Sequence, residues 1–287
     1  MKPSTELRIG RVRGAVPRAL LPALVRTRTA LAWSQVKVRD DAREQMRFVL
    51  EHTRPDADLD AAARAYVERQ AWRGELRWHL DLVTDQRVEG LEHLLAARDR
   101  GRGVVLSHMH HGQFEGAMAS IGRRGVQLHA MGDPRLLTPD APGWMQQHAK
   151  VAQSQGAVPV LSTAGTEAML GILGDGGVLT IASDVPGRTP MRFLGRELIG
   201  SFGAVRLAVA TGAQVVAMTS ELHDGPLPVV RLHEPLDPVD FPSAQKLLET
   251  LLATHEPPIV RWPELYDIPT SHWSLPAATP TAQENDG

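Results

Sequence analysis

The stretch Val104–Gly116, which reads VVLSHMHHGQFEG, concentrates side chains that can transfer protons or bind a metal ion. Three histidines, His108, His110 and His111, fall within four positions, and Glu115 follows shortly after. Imidazole changes its charge near neutral pH, and a neighbouring carboxylate can fix its tautomer. The stretch can therefore hold metal ligands or form a histidine–carboxylate pair for acid–base catalysis.

A metal site is one interpretation of the HMHH run. The run partly resembles the HxHxDH ligands of metallo-β-lactamase-type hydrolases, with His108 and His110 in the first two positions. Gly112 and Gln113 stand where that pattern requires aspartate and histidine, and a catalytic zinc needs three protein ligands. A metal-dependent hydrolase built on His108, His110 and a distant ligand such as His129 is kept as the alternative hypothesis.

General-base catalysis is the interpretation we favour. The apolar run before His108 predicts a strand, and a helix is predicted to start near Gly112 or Gln113. Five positions apart on a regular helix, side chains point about 140° apart, but a strand-to-helix bend would let Glu115 reach back to His110. The carboxylate would then hold the Nδ1 proton while Nε2 accepts a proton from a substrate. His111 is the rival base, because it lies four positions before Glu115 and would be its neighbour on a helix.

The rest of the chain predicts the elements that position this stretch. Residues 1–100 have helical patterns, whereas short β-rich runs alternate with helical patterns from residue 101 onward. Such alternation predicts βαβ units. We expect an α/β fold with a mostly parallel or mixed sheet flanked by helices. The expected organisation is an N-terminal helical region (1–100) packed on an α/β core (101–267), followed by a disordered tail (268–287) rich in Pro, Thr and Ala.

Composition excludes several classes of function. The net charge of −2, from 31 basic and 33 acidic residues, gives no electrostatic footprint for nucleic acid. The chain has no cysteine, which excludes thiolate zinc sites and a cysteine nucleophile. The most apolar N-terminal run, Ala15–Trp33, is interrupted by Arg18, Arg26 and Arg28 and predicts no membrane span. We expect a cytoplasmic protein, with the N-terminal helix docked on its own domain or lying peripherally on the inner face of the cell membrane.

The segment His110–Glu115, HHGQFE, matches the HxGxxE form of the HX4D/E motif. With this motif, residues 101–266 resemble the lysophospholipid acyltransferase-like superfamily, and in particular its late lipid A (lauroyl/myristoyl) acyltransferase branch. The run GGVLTIASDVPGRTPMRFLGREL is similar to the second block of that family, and SFGAVRLAVATGAQVVAMTSE to the block after it. Gly112-Gln113-Phe114 replaces the more usual Gly-Asn-Trp, and the apolar anchor of the membrane members is not seen.

The resemblance implies an activity and a site. His110 would be the catalytic base and Glu115 its partner. The co-substrate would be a fatty acyl thioester of acyl carrier protein or coenzyme A, without a further cofactor. The acceptor would be a hydroxyl or amine of a lipid, glycolipid or specialised metabolite, and the departures from the family pattern favour an acceptor other than lipid A. The implied fold is an α/β sandwich with a hydrophobic groove, and a non-catalytic lipid-binding protein on this scaffold is a further hypothesis.

Four more residues are predicted to bind substrate. Asp184 follows TIAS at the end of a predicted parallel strand, where active sites of α/β proteins collect. Arg188, Arg192 and Arg196 recur every four residues and would share one face of an extended segment. Of these we select Arg188 and Arg192 to contact a pantetheine phosphate or an anionic acceptor. Arg135, after the strand VQLHAM, is predicted to contact the acceptor.

Overall fold

A central sheet of seven strands organises the protein. The structure, a computed structural model, describes residues 2–276. The strand order is β1-β9-β8-β2-β5-β3-β4; strands β8, β2, β5, β3 and β4 run parallel, whereas β9 is antiparallel to β8 and pairs in parallel with β1. The strands are β1 Val88–Glu89, β2 Val104–His108, β3 Leu128–Gly132, β4 Val158–Leu161, β5 Val178–Ala182, β8 Gln214–Glu221 and β9 Val229–Leu232, with β6 Thr189–Phe193 and β7 Arg196–Gly200 outside this sheet.

Helices cover both faces of the sheet. The described helices are α1 Pro3–Gly14, α2 Leu21–Trp33, α3 Val36–Leu50, α4 Leu59–Leu76, α5 Leu80–Val83, α6 Leu91–Asp99, α7 Phe114–Gly122, α8 Gly143–Gln153, α9 Thr166–Gly174, α10 Gly203–Thr211 and α11 Ala244–Arg261. None of them is both long and apolar enough to cross a bilayer.

The alternating side chains of β2 show how the two faces are filled. Val105 points into one apolar cluster, with residues of α3, α4, α10 and α11. Val104 and Leu106 point into the other, with residues of α6 and α7. All five residues of β2 are buried, as expected for a parallel strand covered on both sides. This architecture confirms the predicted α/β fold class with a mixed, mostly parallel sheet.

The first hundred residues are mainly helical, but they also contribute to the sheet. Helices α2, α3 and α4 pack on one another, and α1 packs on α8. The short strand β1 pairs with β9, so the sheet begins before residue 101, where the sequence placed its start.

A two-stranded hairpin follows β5 where the sequence predicts an extended loop. Strands β6 and β7 pair antiparallel and turn at Leu194 and Gly195, both with positive φ. The reversal places Arg192 and Arg196 on opposite strands, so the arginines do not share one extended face. Arg196 instead donates to the carbonyl of Phe48 and lies over its ring.

The segment 268–276 was expected to belong to a disordered tail, but it packs on the core. Pro269–Ser271 forms a 3-10 turn, Ser274 pairs with Ile199, and Trp273 is buried against Phe193. A single large aromatic side chain here outweighs the Pro/Thr-rich composition, because its burial removes a large apolar area from water. The remainder of the predicted tail, 277–287, lies outside the described residues.

Candidate active site

Strand register brings two predicted site residues together. Strands β2 and β5 are parallel neighbours, and His108 pairs with Ala182 at their carboxyl ends. Two residues past the end of each strand lie His110, which follows β2, and Asp184, which follows β5. The carboxyl ends of parallel strands meet at one edge of a sheet, where ligands bind in open α/β folds.

Asp184 holds His110 through two contacts. The backbone N–H of His110 donates to Oδ2 at 2.8 Å, and Nδ1 lies 2.9 Å from Oδ1. Asp184 is fully buried, and although burial alone would raise its pKa, His110 holds the pKa of this carboxyl well below its usual range. Burial works to lower the pKa of His110, but attraction and hydrogen bonding to Asp184 raise it above the ordinary value. An ionised Asp184 accepts the Nδ1 proton, which leaves Nε2 available to a substrate.

Tyr266 lies near Asp184 and is bound by Trp273. Burial, together with the charge of Asp184, raises the pKa of Tyr266 well above its usual value. The Trp273 indole N–H donates to the Tyr266 hydroxyl at 2.8 Å. The C-terminal segment therefore packs next to the partner of His110.

The bend between β2 and α7 depends on Gly112. Its φ is +80°, and a Cβ at this position would lie 2.3 Å from Ser220 Oγ, so no larger residue fits without a shift. Its N–H donates to the carbonyl of Leu265, and the carbonyl of His110 accepts from the N–H of Asp267. These bonds fix the backbone that carries His110.

His110 borders a cleft of about 540 Å³, a size typical of small-molecule sites. The side chain of His110 is 23% exposed, so it is open to this space. Most of the cleft wall is apolar, formed by Phe114, Met118, Ala130, Met131, Leu136, Leu137, Ala149, Ala152, Pro159, Val160, Ala182, Val185 and Pro186. A few polar side chains complete the wall: His108, Asp133, Arg135, His148, Gln153, Ser162 and His272.

The predicted contact between Glu115 and His110 is wrong, because Asp184 occupies the Nδ1 side of His110. Phe114, the first residue of α7, meets the edge of His110 with ring centroids 5.0 Å apart. The next side chain along a helix is rotated by about 100°, which directs Glu115 away from His110. The bend that was expected to bring the two together therefore separates them.

Glu115 instead lies in a buried charged cluster between α4, α7 and α8. Its Oε1 accepts from Gln113 Nε2 at 2.9 Å and lies 3.3 Å from His148 Nδ1. Arg73 of α4 and Arg77, which directly follows α4, approach its two oxygens at 3.9 Å each. Burial alone would raise the pKa of Glu115, but His148 and Arg73 hold it well below its usual range. The carboxylate is thus ionised inside the protein.

The other two histidines of the cluster are interior groups. His108 contacts Thr180 Oγ1 at 3.2 Å, and burial lowers its pKa to about 3. His111 donates from Nε2 to the carbonyl of Trp262, and burial lowers its pKa to about 4. His111 therefore does not pair with Glu115, which removes it as the rival base.

The metal site suggested by the sequence is not assembled. His129 on β3 pairs with Leu179, which lies at the level of Val105 and not at the carboxyl edge with His110. Another trio is closer: ligand atoms of His110, Asp184 and His272 lie within 4.8 Å of one another. The rings of His110 and His272 are stacked with their planes 7° apart, so a single ion cannot lie in both ring planes, where the nitrogen lone pairs are.

Sequence reasoning missed His272. It donates from Nε2 to the carbonyl of Asp267 at 2.7 Å, and its pKa is lowered chiefly by burial. The only local signal was the neighbouring Trp273, an aromatic residue in an otherwise polar, proline-rich stretch.

The predicted substrate-binding arginines are dispersed. Arg135 lies at the cleft, where it pairs with Asp133. Arg188 and Arg192 are exposed and lie outside the residues that line the cleft. Asp184 reaches the site, as the partner of His110 and not on the cleft wall.

Comparison with solved structures gives a distant likeness. The chain is similar to the 1-acyl-sn-glycerophosphate (LPA) acyltransferase PlsC from Thermotoga maritima at 16% identity, with a TM-score of 0.39, over 73% of this chain and 84% of that chain. No protein-family model matches the chain, and no curated protein matches it. A likeness of this size assigns no activity, so the function has to be argued from the site itself.

Proposed function

We propose that the protein is an acyltransferase that moves a fatty acyl group from a thioester to a hydroxyl or amine. The observation that carries the proposal is a single imidazole, His110, held by the buried carboxylate of Asp184 at the wall of a largely apolar cleft. An apolar cleft suits an acyl chain, and a histidine base suits the activation of an O–H or N–H group.

The reaction follows from this geometry. The acceptor donates its proton to Nε2 of His110 while its oxygen or nitrogen attacks the thioester carbonyl. Asp184 stabilises the imidazolium that forms, because it is ionised and accepts from Nδ1. General-base assistance of this kind is worth about 10²–10⁴-fold in rate.

Direct transfer is favoured over an acyl-enzyme. The serines near the end of β2 and β5, Ser107 and Ser183, bond to each other at 2.7 Å in the interior. Ser107 also bonds to the buried His255 at 3.0 Å. Neither hydroxyl lines the cleft, so neither is placed to carry the acyl group.

The substrates follow from the cleft and from the family resemblance of the sequence. As the donor we propose a fatty acyl thioester of acyl carrier protein or coenzyme A, and as the acceptor a glycolipid or another biosynthetic product. Arg135 at the cleft is the predicted contact for an anionic group of either substrate. The cytoplasmic location and the peripheral membrane contact stay predictions.

The test is acyl transfer by the full chain purified without a histidine tag. Lauroyl-coenzyme A and lauroyl-acyl carrier protein serve as donors, and octyl glucoside and octylamine as hydroxyl and amine acceptors, with thiol release and product mass as readouts. We expect transfer that falls by about 10²-fold or more in His110→Ala, whereas His52→Ala, at an exposed histidine, keeps the wild-type rate. Unchanged transfer in His110→Ala, or no transfer by the wild type with any pair, would overturn the proposal.

A metal-dependent hydrolase, the alternative left open by the sequence, is the second candidate. His110, Asp184 and His272 lie close together, but the stacking of the two rings disfavours a shared ion. Metal analysis of the same preparation, followed by chelation, separates the two activities. Stoichiometric zinc that is required for turnover would favour the hydrolase; turnover that survives chelation would favour direct acyl transfer.

A further inference from the structure

A second histidine–carboxylate pair borders the same cleft. His148 lies on α8 and lines the cleft, and its Nδ1 lies 3.3 Å from Oε1 of the fully buried Glu115. The Phe114 ring contacts both imidazoles, with its centroid 5.0 Å from that of His110 and 5.3 Å from that of His148. The two imidazoles thus share one aromatic neighbour and border one cleft.

The second pair has the same chemical layout as the first. Glu115 is ionised for the reasons given above, and its Oε1 faces Nδ1 of His148, so Nε2 is the nitrogen left for the cleft. Arg73 lies over the Phe114 ring at 5.0 Å and ion-pairs with Asp267, while Arg77 lies over Trp144 at 5.3 Å. These contacts anchor the cluster, so that the position of Glu115 relative to His148 is fixed.

Acyl transfer needs two proton movements at different atoms. The acceptor loses a proton as the new C–O or C–N bond forms, and the thiolate gains one as the C–S bond breaks. His110 can accept the first proton, and it can pass a proton on only to a sulfur within its reach. His148 is a second imidazole on the same cleft that can protonate the sulfur. His108 also lines the cleft, but it stays neutral because burial lowers its pKa to about 3.

We propose that His148 is a second catalytic residue, which protonates the leaving sulfur of the thioester while His110 deprotonates the acceptor. This inference rests on the proposed function. At the end of one turnover His110 holds the proton of the acceptor and His148 has given one to the thiol. The side chains of His110 and His148 are 23% and 13% exposed, so each exchanges its proton with solvent before the next cycle.

A purely structural His148 would behave differently. Its ring meets Phe114 at 64°, and a packing role would require only that this contact and the one with Glu115 be kept. Loss of packing would slow every donor alike, because it acts on the whole site. Loss of a proton donor would slow only donors whose sulfur needs a proton in order to leave.

The experiment compares two leaving groups in one variant. Lauroyl-coenzyme A releases an alkyl thiol, whereas the lauroyl thioester of 4-nitrothiophenol releases an acidic aryl thiol that departs as the anion. In His148→Gln we expect kcat with lauroyl-coenzyme A to fall by about 10²-fold, with kcat for the aryl thioester close to wild type. The ratio of the two rates does not depend on how much of the variant is folded, and His148→Asn should show the same ratio.

His223→Gln is the matched control, because His223 lies 3.6 Å from Glu221 in a histidine–glutamate pair away from the cleft. It should leave both rates unchanged. Equal losses with the two donors in His148→Gln, or no loss with either, would overturn the role of His148 while leaving acyl transfer intact. Absence of transfer by the wild-type chain with both donors would instead overturn the proposed function.

Discussion

The imidazole rings of His110 and His272 stack face to face, with centroids 4.3 Å apart and planes 7° from parallel. His272 is fixed in turn by its bond to the carbonyl of Asp267. One face of the proposed base is therefore covered by a residue 162 positions further along the chain, and this contact limits how far the His110 ring can tilt away from Asp184.

His272→Phe and His272→Ala separate stacking from ligation. A phenyl ring keeps the stacked contact, so we expect His272→Phe to retain most of the acyl-transfer rate. His272→Ala should lose roughly 10-fold in rate, because His110 would no longer be held in its reactive position. The measurement is kcat with lauroyl-coenzyme A for both variants. If His272→Phe were as inactive as His110→Ala, a ligand role for His272 would gain support over stacking.

Asp184→Asn tests the partner of His110 directly. The amide cannot carry the charge that stabilises the imidazolium, so kcat should fall by about 10²–10⁴-fold. Asp85→Asn is the matched control, since Asp85 forms an exposed pair with Arg123 away from the cleft, and it should keep the wild-type kcat. The double variant His110→Ala/Asp184→Asn should be no slower than His110→Ala alone, because the two residues act as a unit; additive losses would contradict the pairing.

The pH profile should carry the signature of the same pair. Asp184 raises the pKa of His110 above its ordinary value of 6.5, and the base works only when unprotonated. On the acid side of the profile, kcat/KM should thus rise with pH through a midpoint above 6.5 in the wild type. In Asp184→Asn the midpoint should move to lower pH, because burial remains and the opposing carboxylate is gone. A midpoint that moves up would show that another group is titrating.

Glu115→Gln distinguishes the arrangement that the sequence suggested from the one found. If Glu115 oriented His110, this variant would shift the midpoint of the pH profile as Asp184→Asn does; we expect no such shift. Removing the charge leaves Arg73 and Arg77 without their shared carboxylate, and breaking a buried ion pair costs on the order of 3 kcal/mol. Glu249→Gln, at an exposed pair with Lys246, should change the free energy of unfolding by under about 0.5 kcal/mol; chemical denaturation measures both.

The sequence predicted the strand and placed His110 at the bend that follows it, but it did not predict which acid lies next to His110. The run of apolar residues predicted β2 as far as His108. Asp184 was likewise expected at the end of a strand. The adjacency of β2 and β5 is a property of the sheet order, since two further strands, β3 and β4, lie between them in the chain. Local spacing favoured Glu115 because it is the carboxylate nearest to His110 in the sequence. In the structure, Asp184 is the carboxylate that contacts His110.

The C-terminal part of the site was missed for a related reason. Disorder was predicted from the average composition of the segment. In that average, the many Pro, Thr and Ala residues outweigh His272 and Trp273. The stability of this segment depends on long-range contacts, such as that of Trp273 with Tyr266, which have no local pattern. Likewise, the turn at Leu194 and Gly195 prevents the arginines from sharing one extended face. In the sequence, only Gly195 indicated that turn.

Buried neutral histidines should make the protein sensitive to acid. Burial lowers the pKa of His255 to about 3 from an ordinary 6.5. Because the folded-state pKa lies below that of the unfolded chain, its contribution to stability is complete above pH 6.5 and is lost as the pH falls toward 3. One such group changes the free energy of unfolding by up to about 1.4 kcal/mol per pH unit. His255→Gln should flatten the dependence between pH 6.5 and 4.5, whereas His52→Gln should not; an unchanged slope would mean that His255 is protonated in the fold.

The cleft wall should set the length of acyl chain that is accepted. Ala152 on α8 lines the apolar part of the cleft and packs beside its core cluster, so Ala152→Phe fills space that a long chain would occupy. We expect kcat/KM to fall at least about 10-fold for palmitoyl-coenzyme A, because each displaced methylene forfeits about 0.8 kcal/mol of burial, and to change little for butyryl-coenzyme A. Ala210→Phe, on the exposed side of α10, should leave both unchanged. An equal loss for the two chain lengths would place the acyl group elsewhere, since a blocked chain channel spares a donor too short to reach it.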